Sequence, residues 1–393
     1  MTTTDLKVDV STILDAVAEI APKLRENGRQ AERERHVPAE SINLLEQAGV
    51  FRLTTPRRFG GLELSLADQA KVFEAVAKAD SATGWAAMIL QASAWIHTTL
   101  SEQAQQEIFS KPDHRVSTGF TPTGTIEPAE GGWTVNGTWK WLSGLHAADW
   151  VTLAAVHVTP EGGLPYVVVV PVSEIEIVDD WDTSSAEGTG SASAKVENVF
   201  VPQHRSLFLP ELLGAGAADR ANSGATGTNY AFLPYIVAGA VASYLGIAKG
   251  AYETFLERLP GRGITYTPWT NQSESPLTHI QVATAKNRIA AAEALTNKII
   301  AFLQAHADAG TYPSTEERAE VRGEAGMAIQ LAKEAVVTLH DAAGASSISR
   351  DVPFQRFHRD MLGLSIHALF LFNTNMELHG RVILGLSPDT PFL

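Results

Sequence analysis

The sequence predicts a mainly α protein with a central antiparallel β-domain. Apolar residues recur at helical spacing at both ends of the chain, and in a middle stretch their period falls to two. A segment rich in Gly, Ala and Ser then separates that stretch from four long helical patterns. The expected division is an α-helical domain over 1–115, a β-domain over 116–212 and a four-helix bundle over 213–393.

At the start, Ile13, Val17, Ile20 and Leu24 mark one helix, and Pro38 and Gly49 bracket a second. Periodicity resumes from Leu66 to Val76 after a loop holding Pro56 and Gly60-Gly61. A more apolar helix, Trp85 to Leu100, is expected to be buried on most sides. From Val116 the pattern changes. Trp133, Val135, Gly137, Trp139 and Trp141 alternate with mostly polar neighbours, which puts Trp139 and Trp141 on one strand face. The β-branched runs Val151–Val158, Tyr166–Val172 and Ala194–Val201 follow. Short strands bounded by Gly, Pro and Asp argue against βαβ units, so no parallel sheet is expected. Leu213–Thr228 reads as the linker. Helices are expected over Tyr230–Leu259, Leu277–Ala307, Glu316–Ala345 and Phe354–Leu386, with one long loop at Pro260–Pro276.

Composition removes whole classes of chemistry. The 393 residues contain no cysteine, which excludes disulfides, thiolate nucleophiles and iron–sulfur clusters, so redox work needs a cofactor. The net charge of -14 and the lack of a basic patch argue against nucleic acid. The start, MTTTDLKVDV, does not read as a signal peptide, and the apolar stretch Gly84–Ile96 is too short to span a bilayer; no membrane and a cytoplasmic location are the expectation. There is no phosphate loop and no Gly-x-Ser-x-Gly elbow. At Gly214-Ala215-Gly216 the third glycine of a dinucleotide fingerprint is replaced by Asp219, so a nicotinamide site is not expected. His358, His367 and His379 fall on one expected helix at separations unsuited to a metal, and none is expected.

Five strings, in order, carry a resemblance. They are Phe120-Thr121-Pro122-Thr123-Gly124; Gly131-Gly132-Trp133-Thr134-Val135-Asn136-Gly137; Trp141-Leu142-Ser143-Gly144 with Ala148-Asp149-Trp150; Gly188-Thr189-Gly190-Ser191 with Val199-Phe200-Val201-Pro202; and Arg356-Phe357-His358-Arg359-Asp360. Together they resemble the acyl-CoA dehydrogenase superfamily, whose layout is helical domain, β-barrel-like middle domain and four-helix bundle. Within it the chain is similar to the flavin-dependent monooxygenases that act on hydroxyphenylacetate, dibenzothiophene or steroid phenols. Many dehydrogenases carry a Tyr-Glu-Gly string beyond the Arg-Asp pair, its glutamate being the base. Here the matching positions read His367-Ala368-Leu369.

The resemblance implies roles that the residues alone leave open. His367, in an apolar stretch, reads by itself as a buried imidazole; the resemblance makes it the catalytic group, as a base toward a phenol or amine or as a hydrogen-bond partner of the flavin peroxide. Ser143 reads as a turn serine, and the resemblance brings its hydroxyl to flavin N5. Phe120, Thr121 and Trp141 read as strand core or turn and are implied to flank the isoalloxazine. Arg262 is either a solvated loop residue or the partner of the flavin phosphate. Ser346 and Ser347 match a segment that reaches a neighbouring subunit's cofactor. Trp85, Trp95 and His97 are assigned to the substrate side.

The implied reaction is that reduced flavin, FMN or FAD, binds, oxygen adds at C4a, and the hydroperoxide transfers one oxygen atom to a small aromatic or polyketide substrate. A separate flavin reductase and a homotetramer are implied partners. The alternatives are an acyl-CoA dehydrogenase holding FAD, N-oxygenation of an amine or amino sugar on the same scaffold, and an inactive helical scaffold or flavin carrier.

Overall fold

The computed structural model describes residues 10–214, 222 and 226–393. Most of the expected linker, 215–221 and 223–225, lies outside them.

Five helices open the chain: α1 (Val10–Glu34), α2 (Ala39–Gln47), α3 (Leu66–Ala79), α4 (Ser81–Ile96) and α5 (Glu102–Ile108). Their starts follow local chemistry, with Ser65 capping α3 and Asp80 capping α4 through side-chain oxygens. Of the sixteen residues of α4 only Ile89 is not fully buried. The side of α4 that holds Ile89 is therefore the one left for a ligand.

The sheet contains β1 (Val116–Ala129), β2 (Gly132–Leu142), β3 (Trp150–Thr159), β4 (Gly162–Pro171), β5 (Glu176–Val178), β6 (Ala192–Pro202) and β7 (Ser206–Phe208), in the order β5-β6-β2-β1-β3-β4-β7. All pairings are antiparallel except β1–β3. The sheet is thus antiparallel but for one pair, and the reason for that exception is topological. β2 and β3 lie on opposite sides of β1 and run antiparallel to each other across the short turn at 143–149, so β3 must run with β1. Arg115 pins both strand starts, its backbone N–H and guanidinium donating to Asp149 at 2.8 and 3.2 Å.

Two irregularities shape the middle of the sheet. Between the pairs Gly119↔Leu153 and Gly124↔Ala155, residues 120–123 of β1 stand opposite Ala154 alone. The carbonyl of Ala154 accepts instead from Trp139 Nε1 at 2.6 Å. Trp139 reaches it across Gly124, where a Cβ would fall 2.1 Å from the indole, so only glycine fits. The second irregularity interrupts β2–β6 pairing between Trp139 and Leu142. It gives Trp141 a positive φ of 67° and turns it away from Trp139: Trp139 is buried and Trp141 is 73% exposed. The two tryptophans do not share a face.

After α6 (Leu209–Leu213) come α7 (Phe232–Glu257), α8 (Pro276–Ala309), α9 (Thr315–Ala343), α10 (Phe354–Leu364) and α11 (Phe372–Ile383). By length and composition α7 is apolar enough to cross a membrane, and it is longer than the stretch singled out in the sequence; 89% of its apolar window is buried inside the protein. The long helix expected over Phe354–Leu386 is two helices. Between them Tyr244 Oη donates to Leu364 O at 2.5 Å, Arg322 and Asn375 donate to Leu369 O at 3.2 and 3.1 Å, and Asn375 donates to Leu371 O at 2.9 Å. Side chains from other elements thus satisfy the carbonyls that a continuous helix would have used. His358, His367 and His379 consequently sit on three segments.

The Arg-Asp signature on α10 joins the layers. Arg359 pairs with Glu32 of α1 and with Glu187 at 3.0 Å, Arg356 lies 3.6 Å from Asp80, and Asp360 accepts from Ser81 Oγ and from Ala186 N at 2.7 Å.

Candidate active site

Between sheet and bundle lies a cavity of about 750 Å³, within the range of small-molecule sites. Its sheet side is the β1 bulge, Thr118 to Pro122, with Trp139 to Trp141 of β2. Facing it are Ile89, Ala92 and Ser93 of α4, Phe232, Leu233 and Ile236 of α7, and the α10–α11 connection from His367 to Phe370. The far end is polar. Arg322 of α9 and Thr374, Glu377 and Arg381 of α11 meet Asp389, Thr390 and Phe392 of the segment after α11. Arg381 lies 3.6 Å from Glu377 and 2.6 Å from Asp389.

Of the residues singled out in the sequence, Phe120, Thr121, Trp141 and His367 come together on this wall. Phe120 packs on Phe232, with ring centroids 5.1 Å apart. Thr118 Oγ1 is buried without a hydrogen-bond partner among the described residues. Such an atom at a cavity wall fits a polar ligand.

Ser143 stands just behind the wall, 9% exposed. Trp85 Nε1 donates to its Oγ at 3.1 Å, and Oγ lies 2.7 Å from Ser191 Oγ. Ser191 Oγ is 2.8 Å from Thr189 Oγ1, which donates to Ala186 O at 2.8 Å. A hydroxyl has one proton, so the direction of the whole chain follows. Thr189 spends its proton on Ala186, Ser191 gives its own to Thr189, and Ser143 gives its own to Ser191. What Ser143 retains is acceptor capacity.

His367 is exposed to the cavity, with Trp85 at 6.1 Å and Phe370 at 4.9 Å between ring centroids on its protein side. Desolvation by the surrounding walls pushes its pKa down to about 4, so the ring is neutral at pH 7. Leu369 N–H donates to His367 Nδ1 at 3.2 Å. Nδ1 therefore carries no proton, and the neutral ring bears its hydrogen on Nε2.

Other residues lie elsewhere. Trp85 reaches the site from behind, through Ser143 and His367. Trp95 is buried among Tyr230, Phe232 and Tyr235, donates to Thr228 O at 3.0 Å, and borders a separate cavity of about 230 Å³. His97 is fully buried, with Nε2 3.0 Å from Thr152 Oγ1 and its ring 5.7 Å from His114. Neither Trp95 nor His97 lines the main cavity.

A second cluster forms at the far end of the bundle. Arg262 Nη2 donates to Ala343 O at 2.9 Å and Ser346 Oγ at 3.1 Å, and Arg258 Nη2 to Ser346 Oγ at 3.4 Å. Among the described residues both arginines bond only uncharged oxygens. Burial and then the charge of Arg262 lower the pKa of Arg258. Arg258 Nη1 and Ser347 Oγ are buried and unpartnered. Two converging cations with spare donors fit an anion. From Arg322, at the cavity, to Ala343 is about 30 Å along α9, at 1.5 Å per residue.

Reasoning from the sequence missed three groups. Arg258 sits one helical turn before Arg262, a spacing that could have flagged it. The hydroxyls of Thr189 and Ser191 lie in a quoted string but had no role. Arg322 stands among Arg318, Glu320 and Glu324 in the charged first turns of α9, so nothing in the local pattern set it apart from a solvated helix face.

Fold and site together are those of a flavoprotein scaffold of the dehydrogenase type, and comparison with known proteins agrees. Residues 9–111 match the acyl-CoA dehydrogenase N-terminal domain and residues 238–372 the acyl-CoA dehydrogenase C-terminal domain. The chain belongs to the acyl-CoA dehydrogenase family. It is 32% identical over 388 residues to the oxygenase component of p-hydroxyphenylacetate 3-hydroxylase from Acinetobacter baumannii, covering 97% of this chain and 91% of that one. Among solved structures it is similar to XiaF from a Streptomyces species, in complex with FADH2 and glycerol, at 25% identity and a TM-score of 0.93, covering 98% of each chain. It is also similar to the 3-HSA hydroxylase of a Rhodococcus species, at 26% identity and a TM-score of 0.91, covering 98% of this chain and all of that one.

Proposed function

We propose that the protein is the oxygenase component of a two-component flavin-dependent monooxygenase, which takes reduced FMN or FAD from a separate reductase and hydroxylates a small aromatic substrate in the cytoplasm. The observation that carries this reading is the neutral His367 on the wall of a largely apolar cavity, where many dehydrogenases of the family hold a glutamate. The one glutamate on that wall, Glu377, is exposed and paired with Arg381 at 3.6 Å, which makes it a poor base for carbon acids.

The residues present fit a flavin. Reduced flavin with dioxygen supplies the oxygen atom, and the protein supplies position and dryness. Phe120 and Trp141 offer aromatic surface to the isoalloxazine, and the bulged Thr121 offers polar contacts at its edge. Ser143, its own proton committed to Ser191, is an acceptor for the N5 hydrogen, which oxidised flavin lacks. His367 Nε2–H is a donor toward the substrate and would hold the oxygen of a phenol, or of a phenolate that enters already ionised, so that the ring carbon beside it faces the incoming oxygen atom. In this tautomer the ring serves as a hydrogen-bond donor rather than as the expected base. The walls of α4 and α7 exclude water.

The Arg258–Arg262–Ser346–Ser347 cluster is too far along α9 to serve the cavity of its own chain. It fits a flavin phosphate of a neighbouring copy, which supports the homotetramer as the working assembly.

The test is to mix protein, reduced flavin and isotopically labelled dioxygen with a panel of phenols. One labelled oxygen atom per product is expected. Reduction of bound FAD by an acyl-CoA thioester, with no label incorporated, would establish the dehydrogenase alternative instead.

A further inference from the structure

Arg322 is 3% exposed, borders the cavity, and has no carboxylate among its acceptors. Burial lowers its pKa to about 10. Its three nitrogens bond three separate pieces of the wall: Nε to Asn375 Oδ1 of α11 at 2.7 Å, Nη1 to Phe392 O at 2.5 Å, and Nη2 to Leu369 O at 3.2 Å. Burying a guanidinium without a countercharge is costly, and neutral acceptors return only part of that cost. The use of an arginine here needs a reason beyond stability.

Leu369 supplies one. Its carbonyl is held by Arg322 and Asn375, and its N–H is the donor that fixes His367 Nδ1. Orientation therefore passes from Arg322 through one residue to the imidazole. On its other side Arg322 holds Phe392, so a single planar fork fixes the distance between the His367 turn and the C-terminal wall of the cavity. Lysine, a point donor on a flexible stem, cannot span the three acceptors. A glycine beside it, Gly323, lets α11 approach closely, since a Cβ there would lie 2.1 Å from His379 Nδ1.

We propose that Arg322 is a positioning residue that sets the tautomer and direction of His367 and the spacing of the cavity wall opposite, and so governs how much of the reduced flavin consumed ends in product. This rests on the oxygenase reading above.

The test uses full-length Arg322→Gln and Arg322→Lys proteins with isotope-labelled histidine. The His367 signal is identified by its loss in His367→Gln. In the wild type, before flavin is added, the ring nitrogens should report a hydrogen on Nε2. Both Arg322 variants should show a mixture of tautomers, and product per reduced flavin should fall roughly 10- to 100-fold while flavin affinity holds, the scale expected for slight misplacement of a reacting group. Asn375→Ser, which removes the other donor to Leu369 O, serves if the Arg322 variants do not fold, and should shift the same signal. An unchanged tautomer or an unchanged product yield in folded variants that merely melt earlier would overturn the proposal. Absence of product from the wild type would instead count against the oxygenase reading, and the tautomer measurement does not depend on it.

Discussion

The indole N–H of Trp85 donates to Ser143 Oγ at 3.1 Å, from the side of the serine that faces the helical core. The same ring forms part of the enclosure of His367. One buried tryptophan thus touches both groups proposed to act on flavin and substrate, without itself lining the cavity.

Ser143→Ala should leave the fold and flavin binding intact and remove an acceptor for N5–H. With a hydrogen bond worth about 1–3 kcal/mol when a partner is left unsatisfied, loss of hydrogen peroxide should speed up roughly 5- to 150-fold. Trp85→Phe should act in the same direction and more weakly, because Ser143 keeps Ser191. Peroxide release during a single turnover measures both, and an unchanged rate in Ser143→Ala would reduce the serine to a turn residue.

His367→Ala should still bind reduced flavin and consume oxygen, while product formation per folded molecule falls by roughly 10²–10⁴. Because the wild-type ring stays neutral down to about pH 4, its product yield should show no step near the ordinary histidine value of about 6.5. A step there that vanishes in the variant would contradict the desolvated neutral ring.

Burial pushes the Asp360 carboxyl up to about 6, against about 3.9 in an unfolded chain. Between those values the folded protein holds the proton more tightly, so this contribution to stability is complete below about pH 4 and is lost as pH rises through about 6. Asp360→Asn keeps the shape and, with its oxygen accepting from Ala186 N–H and its amide donating to a turned Ser81 hydroxyl, both partners, but cannot titrate. Its melting temperature should gain on the wild type across that interval, and parallel melting curves from pH 4 to 7 would refute the assignment.

Arg262→Gln should weaken binding of reduced flavin by about 1.5–3 kcal/mol, the worth of a hydrogen bond to a charged group, or roughly 10- to 150-fold in Kd. Light scattering should find the same mass as for the wild type. An unchanged Kd would mean that the cluster holds only the end of α9.

Element order was legible in the sequence because periodicity is local: each helix and strand shows its buried face in its own residues. What was hidden depends on residues distant in the chain. The break at 365–371 lies in an apolar run that continues the helical pattern, and its causes, Tyr244, Arg322 and Asn375, sit on α7, α9 and α11. Trp141 leaves the face of Trp139 because a bulge shifts β2 against β6. The parallel pairing of β1 and β3 depends on which side of β1 the chain takes after Ser143. At the site, Phe120, Thr121, Trp141 and His367 could be named from motif resemblance, whereas Arg322 gains meaning only from acceptors brought to it by folding.

The separation of about 30 Å between the cavity and the arginine cluster has a genetic consequence. If each site draws its cavity from one chain and its phosphate contacts from another, a lesion at His367 and a lesion at Arg262 complement when the two variants are produced in the same cell. Random assortment of equal amounts gives about a quarter of the sites an intact half from each parent. Two alleles that are each impaired would together restore a measurable fraction of turnover, as alleles confined to a single self-contained site could not.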